Sequence, residues 1–389
     1  MIRRNGLEHA HRGPGEPAGL VALLLTQDRG GPVDLTVALA REVANRPGAP
    51  RVVVVGPDPV SSAGSLDELL VKAGMRSKTD LAGRRRLLAT LEGLAPDLIH
   101  AQDKRSGLLC ASARLPARTL LTYHGVPDDV PPAWLLDEVT ASGPGPRTRA
   151  VFAADALVAR RLDAVAAPSE HIARFLRRRL KVPSTKVHVL PNGVPLPAVR
   201  PPAALIRNLV FVGGLVPAKS VSTLVTAFSM VAAARPELRL RLVGDGSDRP
   251  ALETQVARLG LLDRVDFVGY RQDVPQQLAR GDCFVLPSIN ENQPMALIEA
   301  MAAGLPCIAS RVGAVPDLLS GGAGVLVEPG NPHQLAEAIA HLSDDNALAA
   351  ELGREAARRA RSAHSILVCA DAHLALWERL HRQPPGART

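Results

Sequence analysis

The segment 287–306 carries the side chains with the clearest chemical potential, Glu291 and Glu299, with seven residues between them. It follows a short apolar run at 283–286 and opens onto a helix-prone stretch of Met, Ala, Leu and Glu. Pro294 suits a first helical turn, Asn292 can cap it, and Gly304 suits its end. A helix starting there offers free N–H groups and partial positive charge, which suits a phosphate. If the whole stretch were helical, the carboxylates would stand about 12 Å apart. Glycosidase acid pairs lie about 5–9.5 Å apart, so that chemistry fits poorly. Two carboxylates bracketing an extended ligand and accepting its hydroxyl hydrogen bonds fit better. A helix with one capping and one solvated glutamate also satisfies the spacing.

The elements that must position these residues are legible as an alternation of short β-branched runs and Ala/Leu-rich helical stretches. Strands are predicted at 20–26, 51–55, 98–101, 119–123, 164–167 and 187–190, with helices such as 34–44 and 169–180 between them. The unbroken run Val52 to Val55 suggests strands buried on both faces, as in a parallel sheet covered by helices. Proline density then rises from Leu190 to Pro202, a linker signature. The pattern restarts with strands at 209–212, 238–243, 265–268, 283–286, 307–309 and 324–327. The expected class is therefore α/β, with two doubly wound Rossmann-like domains facing a cleft. The expected division is a tail at 1–18, a first domain at 19–196, a linker at 197–206 and a second domain at 207–365. A last stretch, 366–389, contains a helix with Trp377 that is expected to pack back across the first domain.

Composition excludes several classes. Aromatic residues make up 3% of the 389, too few for base stacking as a main binding mode, and no nucleic-acid partner is expected. Cys110, Cys283, Cys307 and Cys369 show no paired spacing, so neither a zinc knuckle nor a redox motif can be drawn. No stretch approaches the ~18 apolar residues of a membrane span. The run 19–25 is followed by Thr26-Gln27-Asp28-Arg29 and not by a cleavage site, so it reads as a buried strand. A cytoplasmic location is expected. The net charge of +8 is compatible with anionic partners without selecting one. Arg76, Lys78, Arg84, Arg85 and Arg86 interleave with Leu81, Leu87, Leu88 and Leu91. That segment reads either as a solvated basic face over core leucines or as a peripheral contact with the inner membrane face. Asp128, Asp129, Asp137 and Glu138 form an acidic, Pro-rich region suited to a polyamine or aminosugar.

The segment around Glu291 and Glu299 resembles the E-x7-E signature of the family-4 retaining glycosyltransferases of GT-B fold. Further landmarks follow in family order: Asp97 to Gln102, Thr122-Tyr123-His124-Gly125, Ala167-Pro168-Ser169, Pro191-Asn192-Gly193-Val194, Val243 to Gly246 and Ala303 to Ser310. The resemblance runs from about residue 20 to 340. It implies transfer of a sugar from a nucleotide-diphosphate sugar, most broadly a UDP-sugar, with no cofactor and no metal. The acceptor would be a small soluble saccharide or aminocyclitol of specialised metabolism, or an envelope glycan or lipid, held by the first domain. Glu299 would bind the donor ribose hydroxyls, and Glu291 would face the transferred sugar or the anomeric region. The N–H groups of Met295 and Ala296, together with Lys219, would meet the diphosphate. His124 would lie near the sugar, and Gly30-Gly31 would let backbone approach the donor. On the residues alone, Lys219 also reads as a loop lysine, His124 as a core histidine and Gly30-Gly31 as a turn. Two positions depart from the family: Gly214 stands where a diphosphate arginine is usual, and Ser220 where a glycine follows the lysine. The alternatives are a nucleotide-sugar epimerase or phosphorylase of the same fold, the latter needing a pyridoxal lysine site, or a nucleotide-sugar-binding pseudoenzyme.

Overall fold

The computed structural model describes residues 19–75, 80–113, 115–126, 130, 143–198 and 205–382. The tail 1–18, Arg76, Lys78, the acidic group Asp128, Asp129, Asp137 and Glu138, and most of the Pro-rich linker lie outside the described residues. The first sheet contains β1 (Leu20–Leu24), β2 (Arg51–Gly56), β3 (Leu70–Lys72), β4 (Leu98–Ala101), β5 (Arg118–Thr122), β6 (Ala164–Ala167) and β7 (Val187–Val189). Their order is 3-2-1-4-5-6-7 and every pairing is parallel. The second sheet contains β8 (Asn208–Val212), β9 (Arg239–Val243), β10 (Val265–Gly269), β11 (Cys283–Leu286), β12 (Cys307–Ser310) and β13 (Val325–Val327). It is ordered 10-9-8-11-12-13 and is likewise parallel. Strand β3 is absent from the expected set. It is a half-exposed edge of three residues with no apolar run to mark it.

The valines of β2 show why the sheet is covered twice. Val53 and Val55 enter one core, with Ile99 and Leu121, while Val52 and Val54 enter another on the opposite face, with Leu23 and Leu120. Alternating side chains that are all apolar can only be satisfied by helices on both sides. One of these helices, α1 (Gly31–Ala44), packs against the helix Ile366–Arg382, which brings Leu376, Trp377 and Leu380 into the first domain's core. The chain crosses between domains at two adjacent places. Val194 N donates to His364 O at 2.9 Å, and Ile366 N donates to Val194 O at 2.8 Å.

Helix α2 (Leu81–Leu94) begins at Asp80, whose Oδ1 accepts from Gly83 N at 2.8 Å. Its Leu87 and Leu91 are fully buried, so those leucines serve the core, while Leu81 stays exposed. Among the described residues no helix is long and apolar enough to cross a membrane. The four cysteines are free and buried.

Both sheets switch winding direction beside their central strand, between β1 and β4 and between β8 and β11. Loops leaving the carboxyl ends of strands diverge at such points and open a crevice.

Candidate active site

A cavity of about 500 Å³ lies between the carboxyl ends of the two sheets. Gly30, Gly31, His124, Lys219, Glu291, Met295, Ala296 and Glu299 all line it, although they span the two domains. Each sits just beyond a strand end or at the helix that follows. Gly30, at φ +104, turns the chain from β1 into α1, and Gly31 approaches Met295 so closely that a Cβ there would lie 3.1 Å from Met295 Cγ.

The helix after β11 spans Met295–Ala302 and has no side-chain cap. Pro294 is its N-cap, with ψ 117, and not a residue of its first turn; Asn292 does not cap it. The reason is that Asn292 and Gln293 are committed elsewhere. Asn292 Oδ1 accepts from Val126 N at 3.4 Å, across the cleft. Gln293 Oε1 accepts from Asn192 N at 2.7 Å, and Asn192 Nδ2 donates to Gln293 O at 3.3 Å. The first N–H groups of the helix are therefore left for a ligand. Glu291 sits on the loop before the helix and Glu299 within it, so the spacing drawn for one continuous helix does not apply. Gly313, at φ +54, clasps the Glu291 backbone: a Cβ there would fall 1.7 Å from Glu291 O.

Glu291 is 6% exposed. Its Oε1 accepts from Lys219 Nζ at 2.6 Å and from Ser288 Oγ at 2.8 Å, while no described residue hydrogen-bonds Oε2. Lys219 closes the turn Pro217–Lys219, and Ser220 follows in the left-handed region at φ +46. That backbone explains why a glycine is usual there; the Ser220–Thr223 hydroxyl contact at 2.8 Å offsets part of the strain.

The Glu299 carboxyl accepts no hydrogen bond from a described residue. Desolvation, and then the nearby charge of Asp34, push its carboxyl up to about 8. Asp34 is itself satisfied by Ser61 Oγ at 2.7 Å and Ser62 N at 2.8 Å.

His124 follows Tyr123, whose hydroxyl donates to Asp155 Oδ2 at 2.7 Å beside the Lys104–Asp155 pair. That anchor holds the end of β5. His124 Nε2 is buried without a partner among the described residues. Burial, and then His373, hold the ring down to about 4, so it is neutral at physiological pH. Beneath it, Trp377 Nε1 donates to His100 Nδ1 at 3.3 Å, which leaves His100 Nε2–H to donate to Thr122 Oγ1 at 2.7 Å.

Arg29, Asp34, Asn192, Tyr270, Asn292 and Gln293 also line the cavity and were not singled out as site residues by the sequence reading. Adjacency to Gly30-Gly31 was the one available signal for Arg29. Tyr270 carried none, because its strand end faces the cleft only once the sheet is assembled.

Two parallel sheets presenting their carboxyl ends to one shared cavity define a two-domain protein of GT-B architecture. The family model described as Glycosyltransferase Family 4 matches residues 29–197, and that described as Glycosyl transferases group 1 matches residues 206–345. The chain belongs to the glycosyltransferases of GT-B fold. A D-inositol 3-phosphate glycosyltransferase of Streptomyces avermitilis is 33% identical over 245 residues, covering 57% of this chain and 53% of that one. An exopolysaccharide phosphotransferase of Streptomyces coelicolor is 32% identical over 223 residues, covering 56% of this chain and 23% of that one. The alignments thus span about half or less of these relatives. Among solved structures, the HepE protein of Anabaena in complex with UDP and glucose superposes with a TM-score of 0.75. It is 20% identical, covering 93% of this chain and 100% of that one, and it shares the fold.

Proposed function

We propose that this chain transfers a hexosyl group from a UDP-sugar to a hydroxyl acceptor with retention of configuration. One observation carries the reading: Lys219, Glu291, Glu299 and an uncapped helix N-terminus converge on one interdomain cavity. The helix N–H groups of Met295 and Ala296 receive the diphosphate, and Lys219 offsets the charge that grows on it as the C1–O bond breaks. Glu299 accepts the ribose hydroxyls. Glu291, held by Lys219 and Ser288, directs its free Oε2 to the sugar. Neutral His124 offers Nε2 to a sugar hydroxyl. The acceptor oxygen bonds C1 on the face the diphosphate leaves, and its proton passes to the departing phosphate oxygen. The bound UDP and glucose of HepE support the choice of donor.

Incubation with a panel of nucleotide sugars should stabilise the fold selectively with UDP-sugars and, given acceptors, yield glycoside. Isomerised donor would point to an epimerase, and binding with no turnover on any acceptor would point to a pseudoenzyme; either result sinks this reading.

The Glu299 carboxyl gives the donor site a pH signature. In the empty site it is held up to about 8, whereas ribose hydroxyls donate to the ionised form. UDP-glucose affinity should therefore rise by roughly tenfold from pH 6.5 to pH 8 and then level off. Calorimetric titration of the wild type against Glu299→Gln checks this: the variant should bind weakly with a flat profile. A wild-type affinity that falls over this range would contradict the assignment.

A further inference from the structure

Among the described residues the cavity holds three Lys or Arg side chains, Arg29, Lys219 and Arg271, and they differ in how firmly they are engaged. Lys219 is committed to Glu291 at 2.6 Å. Arg271 makes two bonds to Asp273, at 2.7 and 3.0 Å. Arg29 also makes two bonds to its sequence neighbour Asp28, but they are longer, at 3.2 and 3.3 Å, and that pair is the more exposed, at 60% and 46% against 46% and 32% for Arg271 and Asp273. Such a solvent-screened pair gives way readily to a doubly charged ligand.

Arg29 also reaches the other domain. Its guanidinium lies 5.8 Å from the ring centroid of Tyr270, beyond β10 of the second sheet. Its backbone directly precedes the Gly30-Gly31 turn, where the uncapped start of α1 meets Met295 at the start of the helix Met295–Ala302. The second-domain wall, meanwhile, carries Gly214. Nothing in the backbone requires glycine there. A Cβ would make ordinary contacts, 3.8 Å from Val216 and 3.9 Å from Asp245 O. The place is open to a side chain, and Arg29 faces the same cavity from the opposite side.

We propose that Arg29 supplies the second diphosphate cation from the first domain, leaving Tyr270 for the ligand and doing the work that a side chain at 214 would otherwise do. A phosphate contact made from the opposite domain forms only while the two domains stand together, so diphosphate binding and cleft closure become one event. This rests on the donor reading above and specifies how that site holds its anion.

The test compares UDP with uridine, which lacks the phosphates, as titrants of wild type, Arg29→Ala, Arg29→Lys, Gly214→Arg and the Arg29→Ala/Gly214→Arg double variant. Arg29→Ala should lose about 10- to 100-fold in UDP affinity and less than twofold in uridine affinity. Arg29→Lys should fall between, because an ammonium cannot form the guanidinium's paired hydrogen bonds. The double variant should recover most of the UDP affinity. UDP affinity unchanged in Arg29→Ala overturns the proposal and leaves the donor site standing. Equal losses for UDP and uridine also overturn it, because Arg29 would then act on cleft shape and not on phosphate. A wild type that binds neither UDP nor any other nucleoside diphosphate fails the donor reading first, and this proposal with it.

Discussion

Glu291→Gln is expected to lower transfer turnover by about 10²- to 10³-fold while leaving UDP affinity within about threefold of wild type. The substitution keeps the shape and one acceptor oxygen for Ser288 but removes the charge that now pairs with Lys219 at 2.6 Å. Lys219 is then left free for the diphosphate, so nucleotide binding has no reason to weaken. In the proposed reaction the sugar, by contrast, loses the carboxylate assigned to the carbon where positive charge develops. Glu291 is buried and its loop is tied to Asn192 through Gln293 and to Val126 through Asn292, so the carboxylate is pre-oriented and not recruited. Steady-state kinetics with a UDP-sugar, alongside UDP titration, separates the two effects. A variant with wild-type turnover would remove Glu291 from the reaction. A parallel loss of UDP binding would make it a donor ligand instead.

The second large effect is on stability, and its sign follows from the histidines under the cleft. His124 and His373 are held down to about 4, first by burial, and His100 is held well below its ordinary value for the same reason. An unfolded histidine titrates near 6.5. Depressed native values mean that the stability is present above about pH 6.5 and is lost as pH falls toward 4. Each of His124 and His373 contributes on the order of 3 kcal/mol over that interval.

Glu299 acts in the opposite sense. Its native carboxyl is raised to about 8, so its contribution is present at low pH and is lost as pH rises through 8. The three histidines under the cleft outweigh one carboxyl below pH 6.5, and His171, His188 and His364, also held down by burial, add to them. Glu299 opposes folding from there to 8, so the unliganded protein should be most stable near pH 6.5. It should lose at least about 2–3 kcal/mol per pH unit on the acid side, and less on the alkaline side. Denaturant melts from pH 4.5 to 8.5 measure this directly. Glu299→Gln should flatten the alkaline limb and steepen the acid limb, and His373→Gln should make the acid limb shallower. A profile that rises steadily from pH 4.5 to 8.5 in Glu299→Gln and wild type alike would contradict the Glu299 environment described.

Much of this is legible in the sequence. Val52 to Val55 implied a strand covered on both faces, and the structure divides those four side chains between two cores. The strand–helix alternation on either side of the Pro-rich stretch implied two wound sheets, because covalent order and apolar period are local properties of a chain. Pro294 and Asn292 show where local reasoning stopped. Both have side chains suited to the helix roles assigned to them, yet Asn292 is drawn away by Val126 from the other domain, and the helix starts one residue later.

Element types, the parallel winding and the residue kinds gathered near residue 291 follow from the order of residues alone, since short-range sterics and hydrophobic period set those. It takes the packed domains to pair Lys219 with Glu291, to leave the Glu299 carboxyl without a partner near Asp34, and to bring Arg29 against Tyr270. Those pairings join residues tens to hundreds of positions apart. Their energies depend on distance and on exclusion of water, and neither exists until the two sheets face one another.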